Sequence, residues 1–162
     1  MAQSRIELYR SIALSGSTKG QHMTLSEDGS VLISVTRGAS GHVAVPKGVK
    51  IIREGAFDEC RFLTEVTIPD GVTTIDALAF FQCTLLKKVV IPNSLTTIGP
   101  GAFAHCFSLT QINIPNSVIF IDAGAFSHCS ALTKVTIPGS VQRIGERAFQ
   151  GCLSLAEFII PD

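Results

Sequence analysis

Apolar positions along residues 41–162 recur with a step of 23. One unit places Ala56, Phe57, Cys60, Leu63, Val66, Ile68, Val72 and Ile75 at its apolar positions, with Pro69 after Ile68. The next repeats them as Ala79, Phe80, Cys83, Leu86, Val89, Ile91, Leu95 and Ile98, with Pro92. Each unit therefore reads A-F-x-x-C-x-x-L-x-x-V-x-I-P-x-x-V-x-x-I. Prolines fall at Pro46, Pro69, Pro92, Pro115, Pro138 and Pro161, and cysteines at Cys60, Cys83, Cys106, Cys129 and Cys152. Phe57, Phe80, Phe103, Phe126 and Phe149 keep the same step. Three residue types sharing one period exclude coincidence.

Each stretch of the unit predicts an element. Val66 and Ile68 alternate with Glu65 and Thr67, the period of two of a strand with one buried face. Pro69 ends that strand because it has no amide to donate to a continuing ladder. Val72 and Ile75 mark a second inward-facing segment on the return side. Ala56-Phe57 follows Gly55 and predicts a short helical turn, with Phe57 plugging the core. Units stacked as parallel strands place equivalent side chains about 4.8 Å apart.

A period of 23 carrying an L-x-x-V-x-I strand lies in the range of leucine-rich repeats, whose units bury their apolar faces only by stacking on neighbours. The pattern closely resembles the BspA-like, or treponemal-type, leucine-rich repeats over residues 41–162. Leu78 and Arg147 depart from it, standing in the slot of Gly55, Gly101 and Gly124. The resemblance implies a β-rich α/β repeat: a right-handed leucine-rich-repeat solenoid with a parallel β-sheet on its concave face and short helical turns. It also implies a surface or secreted, adhesin-like protein of a host-associated microbe that contacts host matrix or cell-surface proteins.

Residues 1–40 fall outside the period. Ile6, Tyr9, Ile12 and Ala13 are spaced as a helical stripe, predicting a short helix over residues 4–14, and Gly16 to Gly20 reads as a loop or linker. Met23-Thr24-Leu25 and Val31-Leu32-Ile33 flank Asp28-Gly29, a hairpin signal. Residues 1–40 thus form an N-terminal cap ahead of an array of about five 23-residue units over 41–162. The last strand, Phe158-Ile159-Ile160, carries no closing cap in this sequence, which reads as a fragment of a longer array or as an end covered by another subunit; self-association through that C-terminal edge is the structural alternative to partner binding.

Composition narrows the function. Thirteen Lys plus Arg balance thirteen Asp plus Glu, and no basic stripe of the kind that tracks a phosphate backbone is visible, so nucleic acid is not an expected partner. No run of about 18 apolar residues predicts a membrane span. The first residues, Met1-Ala2-Gln3-Ser4-Arg5, show no signal-peptide pattern, which leaves a cytoplasmic location open beside the surface one.

Candidate chemistry is sparse. The cysteine ladder reads as core thiols, since cysteine is among the most buried residues and paired C-x-x-C or interleaved His is missing. His105-Cys106 and His128-Cys129 recur, but neighbours at a turn diverge, and the same slot holds Glu59, Gln82 and Gly151. Thr73-Thr74 and Thr96-Thr97 suggest cross-strand threonine pairing, interrupted by Ile119-Phe120, which forms a candidate apolar contact patch. No phosphate-binding, nucleophile-elbow or zinc-protease motif occurs, so no catalytic residue, metal ligand or cofactor is assigned. The outward slots of the L-x-x-V-x-I strand remain: His42 and Ala44, then Glu65, Thr67, Lys88, Val90, Gln111, Asn113, Lys134, Thr136, Glu157 and Ile159. This mixed surface suits a polypeptide partner better than a polyanion.

Overall fold

The computed structural model describes residues 9–14 and 22–159. Its fourteen strands are β1 (Tyr9–Ala13), β2 (His22–Ser26), β3 (Val31–Val35), β4 (Ser40–Ala44), β5 (Ile51–Ile52), β6 (Phe62–Thr67) and β7 (Thr74–Ile75). They continue as β8 (Lys88–Val90), β9 (Thr97–Ile98), β10 (Gln111–Asn113), β11 (Phe120–Ile121), β12 (Lys134–Thr136), β13 (Arg143–Ile144) and β14 (Glu157–Ile159). Equivalent strands of successive units pair in parallel at a step of 23, as in Glu65↔Lys88 and Thr74↔Thr97, so the chain is a leucine-rich-repeat solenoid. No helix among the described residues is long and apolar enough to cross a membrane.

Three ladders run along the stack. The return-side strands form the longest sheet, ordered β1-β2-β3-β5-β7-β9-β11-β13. The L-x-x-V-x-I strands form two sheets of three, β4-β6-β8 and β10-β12-β14, so their ladder is interrupted between β8 and β10. The third ladder belongs to the A-F segments. There Phe57 N donates to Ala79 O at 2.7 Å, Phe80 N to Ala102 O at 2.7 Å, and Phe103 N to Ala125 O at 2.7 Å.

That third ladder explains why the A-F segment is a run of hydrogen-bonded turns and not the expected helical turn. Alternate amides bond within the segment, Asp58 N to Gly55 O and Cys60 N to Phe57 O. The amides between them point along the stack to the next rung, whereas a helix would have directed them along its own axis to carbonyls of the same segment. Redirecting them requires left-handed backbone at two slots per rung. Gly55, Leu78, Gly101, Gly124 and Arg147 occupy one, and Glu59, Gln82, His105, His128 and Gly151 the other, all with φ between 55° and 75°. Glycine enters that conformation without steric cost; Leu78 and Arg147 are held in it by the array.

Between the ladders lies one continuous core. Phe57, Phe80, Phe103 and Phe126 are fully buried and stack face to face, with centroids 4.5, 4.9 and 5.3 Å apart. Phe149 extends the column at 5.2 Å. The cysteines form a second column. Cys83, Cys106, Cys129 and Cys152 each donate the thiol to the carbonyl of the phenylalanine 26 residues earlier, at 3.1–3.2 Å. A small apolar residue with a weak donor is what the slot requires.

At the N-terminal end the expected hairpin forms: β2 and β3 pair antiparallel around Asp28-Gly29, and β3 pairs in parallel with β5, joining the hairpin to the first rung. Asp28 accepts from Ser26 Oγ, Ser30 N and Ser30 Oγ at 2.6–2.9 Å. The helix expected over 4–14 is corrected where it can be seen. Tyr9–Ala13 is a strand that pairs antiparallel with β2, from Tyr9↔Ser26 to Ala13↔His22. An adjacent strand edge offering a full ladder outweighs a helical stripe only about two turns long. Residues 4–8, the loop from Gly16 to Gly20 and Ile160 lie outside the described residues.

Candidate functional site

The strand face is built by the alternation that made it legible. Val66, Val89, Ile112 and Val135 point into the core, so their neighbours in β6, β8, β10 and β12 face solvent. Glu65 and Thr67 are half-buried; Lys88, Val90, Gln111, Asn113, Lys134, Thr136, Glu157 and Ile159 are exposed. All ten expected residues share this face, in two columns set by the pairings Glu65↔Lys88, Gln111↔Lys134 and Lys134↔Glu157.

Charge along the first column is paired internally. Lys88 Nζ lies 2.8 Å from Glu65 Oε1, and Lys134 Nζ 2.6 Å from Glu157 Oε2. The hydrogen bond from Lys88 holds the Glu65 carboxyl below its ordinary value. Such exposed pairs add little stability. Their effect is to leave the face without a strong field of either sign. His42 Nε2 sits 2.9 Å from Thr67 Oγ1, closing the face at the cap end.

On the opposite sheet, threonine hydroxyls satisfy the backbone of the rung before and not one another across rungs. Thr73 Oγ1 donates to Lys50 O at 3.4 Å and Thr96 Oγ1 to Thr73 O at 3.0 Å. Ile119 and Phe120 are half-buried, and the Arg143 guanidinium lies 5.2 Å over the Phe120 ring while bonding Asp122 at 2.6 Å. The apolar patch expected at Ile119-Phe120 is therefore partly roofed by a cation.

The repeated Cys and His residues separate as turn geometry requires. Cys106 is fully buried and its thiol is pushed well above its ordinary value, by burial first and by neighbouring thiols second. His105 faces outward and stacks on His128, centroids 4.7 Å apart at 10°. Burial, then His128, lowers its pKa. A protonated thiol inside and an imidazole outside cannot act as nucleophile and base. Among the described residues no group of three or more His, Cys, Asp or Glu could hold a metal ion.

Two open depressions lie among the described residues. One, about 450 Å³, lies between the cap and first rung, walled by Ile12, Leu14, Met23, Val43 and Val45, with His42 at its polar side. The other, about 550 Å³, is lined by Arg53, Glu54, Asp58, Glu59, Leu78 and Phe81. Asp58 there pairs with Arg37 and Glu59 with Arg61.

Sequence reasoning passed over one feature. Phe62, Leu85 and Phe107 are 60%, 45% and 45% exposed where the chain enters the strand face, Phe62 at the start of β6 and the other two in the turns before β8 and β10. The available signal was that Phe62 and Leu85 stand 23 apart in a slot otherwise held by Ser108, Ala131 and Ser154.

Similar proteins agree with this architecture. A leucine-rich cell surface protein from Faecalibacterium prausnitzii superposes with a TM-score of 0.81 and 30% identity, over 93% of this chain and 39% of that one. A Treponema pallidum leucine-rich-repeat protein gives 0.77 and 28%, over 99% of this chain and 71% of that one. A leucine-rich-repeat protein from Bacteroides ovatus gives 0.67 and 27%, over 95% and 41%. The chain thus spans about two fifths of two of these proteins. No curated protein is recognisably similar in sequence. The family model for the BspA type leucine-rich repeat region matches residues 42–162 in six copies, and the chain belongs to that family.

Proposed function

We propose that this chain is a non-catalytic protein-binding module of a surface or secreted, adhesin-like protein, and that the strand face from Glu65 to Ile159 takes part in contacting host matrix or cell-surface proteins. One observation carries the reading: a regular, rigid frame presents a column of non-repeating side chains whose charges cancel locally. The frame fixes spacing while the exposed residues vary from rung to rung, which suits recognition of an extended polypeptide. The Faecalibacterium relative, described as a cell surface protein, supports the location. The separation of the buried Cys106 thiol from the outward His105 imidazole supports the non-catalytic part.

The test is biolayer interferometry of the purified chain against a panel of purified host matrix proteins, with Lys88→Glu/Lys134→Glu as the face variant. Saturable binding weakened by about tenfold or more in the variant is expected. Binding to none of the panel, or binding indifferent to the face variant, contradicts the assignment.

A further inference from the structure

Away from β1 and the C-terminal end from Ile144 onward, the exposed large apolar side chains of the described residues are Phe62, Leu78, Leu85, Val90 and Phe107. They are confined to three consecutive rungs. Three of them lie between the cysteine column and the strand face: Phe62 at the start of β6, and Leu85 and Phe107 in the turns before β8 and β10. Behind them the surface continues as packed rings: the His105 imidazole meets Phe81 edge-on at 5.4 Å and Phe107 edge-on at 5.6 Å.

The scaffold does not require these residues. On other rungs short of the last, the slot of Phe62 and Leu85 holds Ser108 and Ala131, and that of Phe107 holds Arg61, Thr84 and Ser130. Those rungs stack in the same register with the same buried phenylalanines. Fold stability therefore gives no reason for exposed phenyl and isobutyl groups here, and exposed apolar side chains gathered on neighbouring rungs mark contact sites.

The rim supplies the sign of the partner. Glu59 is neutralised by Arg61 at 3.5 Å, and Glu65 by Lys88 at 2.8 Å. Lys87, exposed between Leu85 and the strand face, pairs with no carboxylate among the described residues. Three cations against two occupied carboxylates leave a rim that accepts negative charge. A single spare cation is too little for a polyanion held by its phosphates, which needs several such contacts. An apolar centre with a weakly cationic rim matches a polypeptide that alternates acidic and apolar side chains.

We propose that the corner formed by Phe62, Leu85 and Phe107 is the anchor of the interface, and that its occupant is an acidic polypeptide segment whose apolar side chains cover these three residues. The inference rests on the protein-binding reading above and gives it a hot spot, since a few buried aromatic anchors usually dominate an interface.

The experiment uses the full chain with three short fluorescein-labelled peptides: one alternating Glu with Leu and Phe, one with Lys replacing Glu, and one with Ser replacing the apolar residues. Fluorescence anisotropy measures affinity, and amide shifts in ¹⁵N spectra locate the contact. The acidic–apolar peptide should saturate, shifting Leu85, Lys87, His105 and Phe107. Phe62→Ser/Leu85→Ser/Phe107→Ser should weaken it by about tenfold or more, and Lys87→Glu should weaken it too. Gln142→Ser, on the opposite sheet, should leave it unchanged. All three corner side chains are exposed, so the triple variant should melt with the wild type; Phe107→Ser alone serves if it does not. Equal binding of the Lys peptide, wild-type affinity in the corner variant, or shifts elsewhere would overturn the proposal, as would an oligosaccharide array binding this corner in place of peptide. Matrix binding that survives the corner variant but is lost in Lys88→Glu/Lys134→Glu overturns the anchor alone and leaves the proposed function standing.

Discussion

Phe103 is the most informative single position. Its ring is fully buried and lies 4.9 Å from Phe80 at 4° and 5.3 Å from Phe126 at 1°. Replacing it with alanine leaves a slot walled by two other phenyl faces, which the three backbone ladders prevent from closing. Phenylalanine-to-alanine changes in cores cost about 3–5 kcal/mol, with the upper part expected where the site cannot collapse. Loss of two ring contacts pushes in the same direction. Phe149 provides the internal control, being half-buried, with one stacked neighbour and an edge-on contact to the exposed Phe158 ring. Phe149→Ala should cost roughly 1–2 kcal/mol, on the scale of partial burial. Stability in a linear array is carried by nearest-neighbour interfaces, so a mid-array defect should also broaden the transition by uncoupling the rungs on either side. Urea melts followed by far-UV circular dichroism measure both effects. If Phe103→Ala costs less than about 1 kcal/mol, or no more than Phe149→Ala, the packed spine is refuted.

Further expectations follow from other contacts. A Cβ on Gly99 would lie 2.8–2.9 Å from backbone atoms of Ile75, Asp76 and Ala77, whereas one on Gly139 meets nothing within 4 Å. Gly99→Ala should therefore lose about 1–3 kcal/mol or more, and Gly139→Ala should be neutral or slightly stabilising in thermal melts. Burial pushes the Cys60 thiol up to about 12, and Cys83, Cys106 and Cys129 also titrate above their ordinary value. Iodoacetamide at pH 8 should thus spare these four in the folded chain, with half-buried Cys152 reacting first in mass spectra. Hydrogen bonds from Ser26 and Ser30 lower the Asp28 carboxyl from 3.8 to about 2. A depressed folded pKa contributes stability above the unfolded value that is lost as pH falls from about 4 toward 2. Asp28→Asn should flatten that part of the melting-temperature profile, and an unchanged acid slope would remove Asp28 from the account.

The repeated part of the structure was legible because one physical constraint acts at every rung. A side chain at a given slot meets its own equivalents above and below, so the phenylalanine and cysteine columns follow once the period is known. The alternation around Val66 and Val89 likewise fixed which residues form the strand face. What escaped lies where the period is silent. Tyr9–Ala13 is a strand because β2 offers it an edge, which no window of five residues can reveal. The slot of Gly55 and the slot of Glu59 appeared tolerant in composition, yet both demand left-handed backbone; Leu78 and His105 hide that demand. The interruption between β8 and β10 has no counterpart in the repeat pattern. Phe62, Leu85 and Phe107 lie off the apolar slots of the repeat, and only the folded chain shows them exposed together on neighbouring rungs.

Register between rungs is tested most directly by inter-ring nuclear Overhauser effects on a sample labelled only at phenylalanine. Contacts should connect Phe57 with Phe80, Phe80 with Phe103, Phe103 with Phe126 and Phe126 with Phe149, and should be missing between rings two rungs apart. Ring signals without these sequential contacts, or with shifts typical of solvent-exposed phenylalanine, would contradict the stacked solenoid and every surface derived from it.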